Sequence, residues 1–349
     1  MQKKIAIFGI DNFSKKNILQ INCLNKHDIS ADVFTVDCLG DSRKNLPFGN
    51  NLFSLKKGLL RRIVQIYTYL RKNHSQLNHA EIYVRGRFAL FYLFLSKLFK
   101  LKVIVVERGD LLYFDRFSFL TKISMWLLYK FSNMVWYREF YMKDYFDRWG
   151  IKHVFFLPNC IVKKNCQSDR KRDIDFLWVN RLIPERKSGW FVNVLSGQDF
   201  SKTNNAMLGL LENAKGDHSS EEEEFAKNNS PENLQVFGYI DPEQFYLRAK
   251  YFVLPSDIVY LNNALLEAMS YGVVPIISRV SGSDLIVDDG VSGFVADHSE
   301  AAFHDAMTKA FEIDQHEYVE MSRQVLKKVE SDFSYDRWSE KLIGLYDSV

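Results

Sequence analysis

Short apolar runs alternate with longer helical stretches along most of the chain. In the first half, the runs that are long and apolar enough to form buried strands are separated by amphipathic or apolar segments that predict helices, the clearest at 14–25 and 88–99. Strands are predicted at 4–9, 32–37, 81–84, 103–107, 134–137 and 153–159. This alternation of strand and helix predicts a parallel sheet covered by helices.

The same alternation restarts after a polar, charged segment at 160–173, which we interpret as a linker. Strands are predicted beyond it at 175–179, 206–210, 234–237, 251–254 and 273–277. The chain is long enough for about two domains by the usual length of a folding unit. We therefore predict an α/β protein built from two Rossmann-like, doubly wound domains that face a cleft.

The stretch 253–295 carries most of the information about function. An apolar run ends at Pro255 and Ser256, a polar loop follows, and a helix with the sequence ALLEAMSYG closes at Gly272 before the next strand. Ligands of parallel sheets bind beyond the carboxyl ends of the strands. The loop and the first turn of the helix are therefore where a bound anion or sugar is expected.

Charge is distributed very unevenly over the chain, although the net charge is only +3. Residues 1–163 contain 27 Lys and Arg against 12 Asp and Glu, a net +15, whereas residues 164–349 contain 19 against 31, a net −12. A basic half attracts partners that carry phosphate, such as nucleic acid or an anionic membrane surface.

Two basic segments favour a membrane over nucleic acid as this partner. One is LLRRIVQIYTYL with flanking Lys and Arg, and the other, FALFYLFLSKLFKLK, mixes Phe, Leu and Tyr with lysines. Such helices can lie in a lipid interface. The alternative is that they are ordinary sheet-covering helices with solvated basic residues. We expect no nucleic-acid partner, because the chain has no recognised nucleic-acid motif.

Location is predicted from the cysteines and from the apolar runs. Four scattered cysteines have no CxxC or Cys/His spacing, which predicts reduced thiols and no structural metal site. The N-terminus enters a strand directly, and the longest apolar run, 88–95, is too short to span a bilayer. We expect a cytoplasmic protein that associates peripherally with the inner face of the membrane.

Motifs in the second half resemble, in order, those of the group 1 family of retaining glycosyltransferases. They are FLWVNRLIPERKSGW, NLQVFGYIDPEQFYLRAKYFVLPS, NNALLEAMSYGVVPIIS and SGSDLIVDDGVSGFV, preceded by HVFFLPN. The resemblance extends over about 154–295 and weakens towards the N-terminus. It implies the GT-B fold, with the acceptor bound by residues 1–163, the nucleotide-sugar donor by 164–330, and a final helix in 331–349 that returns to the first domain.

The function that the resemblance implies is transfer of a sugar from a nucleotide-sugar to a glycan or lipid-linked acceptor. The setting would be bacterial-type synthesis of a surface polysaccharide. By resemblance, Arg181 and one of Arg186 and Lys187 grip the donor diphosphate, and Glu267 accepts hydrogen bonds from the ribose hydroxyls. Fixed cations suit a leaving nucleoside diphosphate, and a carboxylate suits a vicinal diol.

Val259 departs from the family pattern, because it lies eight residues before Glu267, where the family usually has a glutamate that contacts the transferred sugar. Two interpretations remain open. In one, other groups of the loop and helix start recognise the donor sugar and phosphate; in the other, the protein binds a sugar-nucleotide or glycan without turnover. The candidate contacts are Asp257, Asn262, Asn263 and the backbone amides of Ala264 and Leu265.

The acceptor side is predicted less sharply. The family often has a histidine after the strand that corresponds to VIVVERGD, and here the catalytic candidates at that place are Arg108 and Asp110. Each candidate on this side has a structural loop role as its alternative. The remaining acceptor-side candidates lie at or just after the ends of the first and third predicted strands: Gly9, Asp11, Arg85 and Arg87.

A possible metal motif is discounted. Asp173-Ile174-Asp175 matches the DxD triplet by which another glycosyltransferase fold holds a metal ion, but it runs directly into the strand IDFLWV. Carboxylates that alternate at a strand entrance are more simply polar edge residues. We expect neither a metal nor a separate cofactor, with the nucleotide-sugar as substrate.

Overall fold

The computed structural model divides into two compact units, one formed by Met1–Pro158 with Trp338–Val349 and the other by Asn159–Arg337. The residues that it describes are 3–13, 15–37, 46, 49–56, 58–83, 88–162, 172–210, 219–238, 240–259 and 262–349.

The first unit is built on a parallel sheet of seven strands in the order β3-β2-β1-β4-β5-β6-β7. Its central strands are almost entirely apolar and buried, which explains why their runs were predictable from the sequence. The strands are β1 (Lys3–Asn12), β2 (Ile29–Asp37), β3 (Asn51–Ser54), β4 (His79–Tyr83), β5 (Lys102–Glu107), β6 (Met134–Tyr137) and β7 (Val154–Phe156).

Helices cover this sheet, and the last helix of the chain packs on it as well. Residues 338–349 cluster with the first unit, where Tyr346 donates a hydrogen bond to the buried Glu81 of β4 and the Trp338 ring lies 6.3 Å from that of Trp136. No helix in the described ranges is both long and apolar enough to cross a membrane. The helices are α1 (Lys15–Lys26), α2 (Leu59–Asn73), α3 (Ala89–Leu98), α4 (Phe119–Phe131), α5 (Met142–Arg148) and, at the end of the chain, α12 (Tyr335–Asp347).

The second unit repeats the same design with six parallel strands in the order β10-β9-β8-β11-β12-β13. Numbered within the unit, this is the 3-2-1-4-5-6 order of a dinucleotide-binding fold, so its topological switch point lies between β8 and β11. The strands are β8 (Ile174–Val179), β9 (Asn205–Leu210), β10 (Leu234–Gly238), β11 (Ala249–Leu254), β12 (Val274–Ser278) and β13 (Phe294–Ala296).

The helices of the second unit follow its strands in turn. The run of four glutamates lies in the helix Ser219–Asn229, where the Ser188 hydroxyl donates a hydrogen bond to Glu222 at 2.5 Å. The helices are α6 (Ser188–Leu195), α7 (Ser219–Asn229), α8 (Glu243–Tyr246), α9 (Asn263–Ser270), α10 (Glu300–Glu312) and α11 (Gln315–Lys328).

The predicted α/β class with two doubly wound sheets is confirmed. Two short strands were not predicted, β3 and β13, because each has only three or four residues and β3 is half-exposed and partly polar. β1 extends three residues beyond its predicted end. Most of the predicted linker lies outside the described residues.

Candidate functional site

The switch point of the second unit places two loops side by side. β8 and β11 are parallel neighbours, so the loops that follow them leave the same edge of the sheet. The loop after β8 contains Arg181, Arg186 and Lys187, and the loop after β11 contains Asp257. Residues predicted from two separate motifs are therefore brought to one place.

Arg186 joins the two loops. Its guanidinium donates to Ser256 Oγ at 2.9 Å and to the carbonyl oxygen of Ile258 at 2.8 Å. The backbone N–H of Asp257 donates in turn to the carbonyl oxygen of Glu185 at 2.9 Å. Arg186 therefore already serves an internal role that sets the shape of the second loop.

Lys187 and Asp257 form an ion pair between the two loops. The Lys187 Nζ lies 3.4 Å from Asp257 Oδ1 and 5.9 Å from the centre of the Trp190 ring. On its other side, the same Asp257 oxygen lies 2.8 Å from His298 Nε2, and His298 Nδ1 lies 3.1 Å from Ser278 Oγ. Asp257 is thus held between a lysine and a histidine, and the sequence analysis did not identify His298.

Arg181 differs from the other two predicted cations. Its side chain is exposed, and its backbone N–H donates to Asn180 Oδ1 at 2.9 Å. Lys187 retains a partly exposed ammonium, whereas Arg186 is bonded to the neighbouring loop. The arrangement favours Arg181 with Lys187 as the pair available to an anionic ligand.

Helix α9 begins at this edge with its own cap. Asn262 is the N-cap residue, and its Oδ1 accepts the backbone N–H of Leu265 at 3.2 Å. The Leu265 amide, which was predicted to face a ligand, is therefore already bonded within the cap. The amides of Asn263 and Ala264 have no partner along the helix, and they lie at its positive end. Asn263 is exposed and accepts a hydrogen bond from Asn159 Nδ2 at 3.0 Å.

Glu267 lies one turn further along α9, on the same face as Asn263. Its carboxylate is half-buried, and Tyr246 Oη lies 3.5 Å from its Oε2. Burial raises the pKa of Tyr246 well above its ordinary value, and the charge of Glu267 raises that pKa further. The phenol therefore stays protonated as a donor towards Glu267, which keeps the carboxylate oriented.

Val259 has a packing role. It is fully buried, whereas Asp257 of the same loop is half-buried. Its carbonyl oxygen accepts the N–H of Asn262 at 3.5 Å, just ahead of α9. A hydrocarbon side chain at this place stabilises the loop from inside and offers no hydrogen bond to a sugar.

In the first unit, a buried carboxylate that the sequence analysis missed shapes the candidate acceptor loop. Glu107 ends β5, and its Oε1 accepts the N–H groups of Gly109 at 2.9 Å and Asp110 at 2.7 Å, while Tyr129 donates to its Oε2. Burial, and then the nearby Asp110, raises the pKa of Glu107 to about 7. The available signal was an acidic residue that ends an apolar strand directly before Arg108.

The ends of β1, β4 and β5 converge at the switch point of the first unit. The Arg108 guanidinium lies 5.0 Å from the centre of the Tyr83 ring. Gly9 has a φ of +84°, and a Cβ there would lie 2.8 Å from the carbonyl oxygen of Tyr83, so a close approach of β1 to β4 requires glycine. Arg85 and Arg87 lie outside the described residues, as does the side chain of Asp11.

The discounted DxD triplet is bonded to two cations, one directly before β11 and one within it. Arg248 donates to both oxygens of Asp173 at 2.8 and 2.7 Å, and Lys250 Nζ lies 2.8 Å from Asp175 Oδ1. Within the part of the chain that the structure describes, no group of three or more His, Cys, Asp and Glu residues is placed to hold a metal ion.

Part of the second unit is similar in sequence to known proteins. Residues 175–312, which contain both loops and α9, match the family model of glycosyl transferases group 1. The chain therefore resembles the group 1 glycosyl transferases over this region, which is less than half of its length. Part of the chain, 34%, is 30% identical over 126 residues to a glycogen synthase of Thermodesulfovibrio yellowstonii. That match spans only 25% of the length of the glycogen synthase.

Solved structures resemble the chain over both units. Anabaena HepE, in complex with UDP and glucose, has a TM-score of 0.78 at 13% identity over 100% of both chains. A Thermosynechococcus elongatus sucrose-phosphate synthase (14% identity, 100% and 99% coverage) and a Rickettsia africae glycosyltransferase (11% identity, 99% and 98% coverage) each have a TM-score of 0.77. These likenesses confirm the predicted GT-B fold class.

Proposed function

We propose that the protein is a glycosyltransferase that moves a sugar from a nucleotide-sugar donor to an acceptor. The observation that carries the proposal is the junction of the loops after β8 and β11, which lies in the matched region and gathers Arg181, Lys187, the start of α9 and Glu267 at one sheet edge. Such an edge at a topological switch point is where nucleotides bind in this kind of fold. The UDP bound in the HepE structure supports the same choice of ligand.

In this proposal, the second unit holds the donor. Arg181 and Lys187 neutralise the diphosphate, and the amides of Asn263 and Ala264 at the start of α9 add the positive end of the helix dipole. Glu267, steadied by Tyr246, accepts hydrogen bonds from two ribose hydroxyls. When the sugar leaves, negative charge accumulates on the nucleotide, so preorganised cations lower the barrier without a metal.

The first unit is proposed to hold the acceptor, near the end of β5. The turn built on Glu107 presents Arg108 and Asp110 there, and Arg85 and Arg87 follow the adjacent β4 in sequence. Basic residues suit an anionic glycan or a lipid-linked acceptor. We propose a cytoplasmic enzyme of bacterial-type surface polysaccharide synthesis, associated with the inner face of the membrane, that retains the anomeric configuration of the sugar.

One observation favours a second function, binding without turnover. Val259 is fully buried where the family usually has a sugar-contacting glutamate, so this position supplies no polar group for the reaction. Slow hydrolysis of UDP-, GDP- or ADP-sugars in the absence of acceptor separates the two functions. Sugar release above the buffer rate supports the transferase, whereas nucleotide binding with no release and no transfer supports the binding protein.

The donor site is tested with a single substitution in α9. A thermal-shift screen with UDP, GDP and ADP should show stabilisation by one nucleotide, since a ligand that binds the folded state raises Tm by mass action. In Glu267→Gln that affinity should fall about 10- to 100-fold, the range expected when hydrogen bonds to a charged group are weakened. Glu312→Gln, an exposed carboxylate at the end of α10, is the control and should bind like the wild type. Equal affinity in both variants would place the ribose elsewhere.

A further inference from the structure

Three helices form one outer layer on the first unit. α3 packs against both α2 and α4, and the buried sides of all three contribute to the same core, through Ile66, Tyr92 and Leu128 among others. Each helix connects strands that progress in the same direction across the sheet, which places the helices on the same side. Their opposite sides therefore form a continuous outer surface, called here the three-helix face.

The three-helix face is apolar where a helix surface is ordinarily polar. On α2, Leu60 and Val64 lie one turn apart and are 74% and 56% exposed; on α3, Phe94 and Leu98 do the same at 66% and 55%. Scattered exposed apolar residues need no explanation, but aligned stripes on adjacent helices mark an interaction surface.

Helix α4 extends the same pattern. Phe119 and Leu120, in its first turn, are each 75% exposed, and Trp126 lies two turns further along the helix at 38%. Aromatic side chains with one polar atom, such as Trp, are favoured at the boundary between lipid headgroups and hydrocarbon. This helix was not among the segments that the sequence had indicated for a membrane.

The charge on the three helices has one sign. Their sequences contain Lys and Arg but no Asp or Glu. Arg61, Arg71 and Lys130 are exposed beside the apolar stripes. The outer helices of the second unit differ, because α10 and α11 carry both acidic and basic residues. A partner of the three-helix face must therefore combine negative charge with a surface that accepts apolar side chains.

We propose that the three-helix face docks on a bilayer that contains anionic lipid. The apolar stripes enter the boundary of the acyl chains, and the surrounding Lys and Arg contact the lipid phosphates. Nucleic acid would use the charge but not the stripes, and a second copy of this basic face would be repelled by its own charge. The inference specifies the proposed membrane association and rests on it, but it does not depend on the proposed transfer chemistry.

Vesicle flotation of the full-length protein tests the apolar stripes. Wild type should float with vesicles of phosphatidylglycerol and phosphatidylcholine and bind vesicles of phosphatidylcholine alone at least 10-fold more weakly. The triple variant Leu60→Ser/Phe94→Ser/Phe119→Ser should lose at least 10-fold in binding, since each residue removes apolar area that would be buried in lipid. The matched control is Val291→Ser/Phe311→Ser/Val319→Ser. It replaces exposed apolar residues of the second unit and should bind like wild type.

The charge requirement is tested separately. Arg61→Glu/Arg71→Glu/Lys130→Glu should reduce binding to anionic vesicles by at least 10-fold and remove its dependence on salt, while Lys341→Glu, on α12, should leave both unchanged. The blue shift of tryptophan emission on vesicle binding should be smaller in Trp126→Phe than in wild type, which makes Trp126 a local readout among the six tryptophans. Each variant should retain the wild-type thermal shift with nucleotide, which separates loss of docking from loss of the donor site.

Two results would overturn the inference. One is triple variants that float as well as wild type. The other is a wild-type dimer in solution that the apolar variant converts to a monomer, which would make the three-helix face a subunit interface.

Discussion

The two units share a strand order but use their carboxylates in opposite ways. In the first unit, Glu81 and Glu107 lie at or near the carboxyl ends of central strands, are fully buried, and are bonded to tyrosines. In the second, Glu267 lies on a helix beside the switch point, is half-buried, and has one tyrosine 3.5 Å away. We interpret Glu81 and Glu107 as scaffold carboxylates and Glu267 as a carboxylate that binds a ligand, a difference that follows from their burial.

The outer surfaces of the two units also differ in charge and polarity. The three-helix face of the first unit is apolar and basic, whereas the helices of the second unit carry many carboxylates, including the four glutamates of α7. We interpret this as a division in which the first unit makes the contacts with a surface and the second holds a soluble nucleotide.

The largest effect is expected from Val259→Glu. This change restores the residue type usual in the family, but it places a carboxylate at a fully buried position, so unfolding should become easier by roughly 3 kcal/mol or more. Thermal denaturation measures the loss. Val291→Glu, at a residue that is 54% exposed, is the control and should change Tm little. A stable Val259→Glu protein with faster donor hydrolysis would show that the position is open to a ligand, contrary to the packing role.

The next effect is expected from Glu81→Ala in the first unit. Gln20 Nε2 donates to both Glu81 oxygens at 3.0 and 2.8 Å, and Tyr346 donates from the last helix, so removing the carboxylate takes the acceptor from the buried Tyr346 hydroxyl and leaves Gln20 Nε2 only its bond to Tyr346 Oη. The free energy of unfolding should fall by roughly 2–4 kcal/mol, measured in urea. The affinity for nucleotide should not change. Glu340 is exposed on the helix that carries Tyr346, and Glu340→Ala should leave the free energy of unfolding unchanged. A reduced nucleotide affinity in Glu81→Ala would contradict the division of roles between the two units.

Much of the fold could be predicted because its strands are buried on both faces. Apolar β-branched runs such as that of β5, with four residues from Val103 fully buried, are visible in the sequence without knowledge of their neighbours. β3 and β13 escaped prediction because pairing with a neighbour, more than composition, defines such short strands.

The candidate site was predictable only where local sequence carries the chemistry. The helix of Glu267 follows from its pattern, and the cap by Asn262 could have been found from the preference for Asn before a helix. The contact of His298 with Asp257 spans 41 residues and depends on how two loops meet, so no local pattern reports it. Likewise, the sequence could not show that Arg186 is engaged by Ser256 while Arg181 is exposed.

A smaller and more specific effect is expected from the two arginines of the loop after β8. Arg186→Ala removes the hydrogen bonds to Ser256 and Ile258 and should lower the free energy of unfolding by roughly 1–3 kcal/mol. Arg181→Ala should leave Tm unchanged and weaken the binding of a nucleoside diphosphate about 10-fold, because the exposed guanidinium of Arg181 can reach the phosphates. Calorimetric titration combined with thermal denaturation measures both. If Arg181→Ala lowered Tm and Arg186→Ala weakened nucleotide binding, Arg186 would be the phosphate ligand and Arg181 the structural residue.

The smallest effect is a change in pH dependence from Glu107→Gln. Burial raises the pKa of Glu107 to about 7 from an ordinary 4.5, so folding takes up a proton between these pH values. The stabilisation linked to this proton is fully present below pH 4.5 and is lost as pH rises through about 7. Glutamine does not titrate but keeps an oxygen for the amides of Gly109 and Asp110.

The wild type should therefore lose stability relative to Glu107→Gln between about pH 4.5 and 7, by no more than about 1.4 kcal/mol per pH unit, which is the limit for one proton. Urea denaturation at a series of pH values measures the difference, and Glu312→Gln, an exposed carboxylate, should show no such divergence over this range. Parallel curves for wild type and Glu107→Gln would mean that Glu107 is ionised throughout. In that case, Glu107 would be charged at neutral pH although it is buried. Burial alone would then not explain the different roles of Glu107 and Glu267.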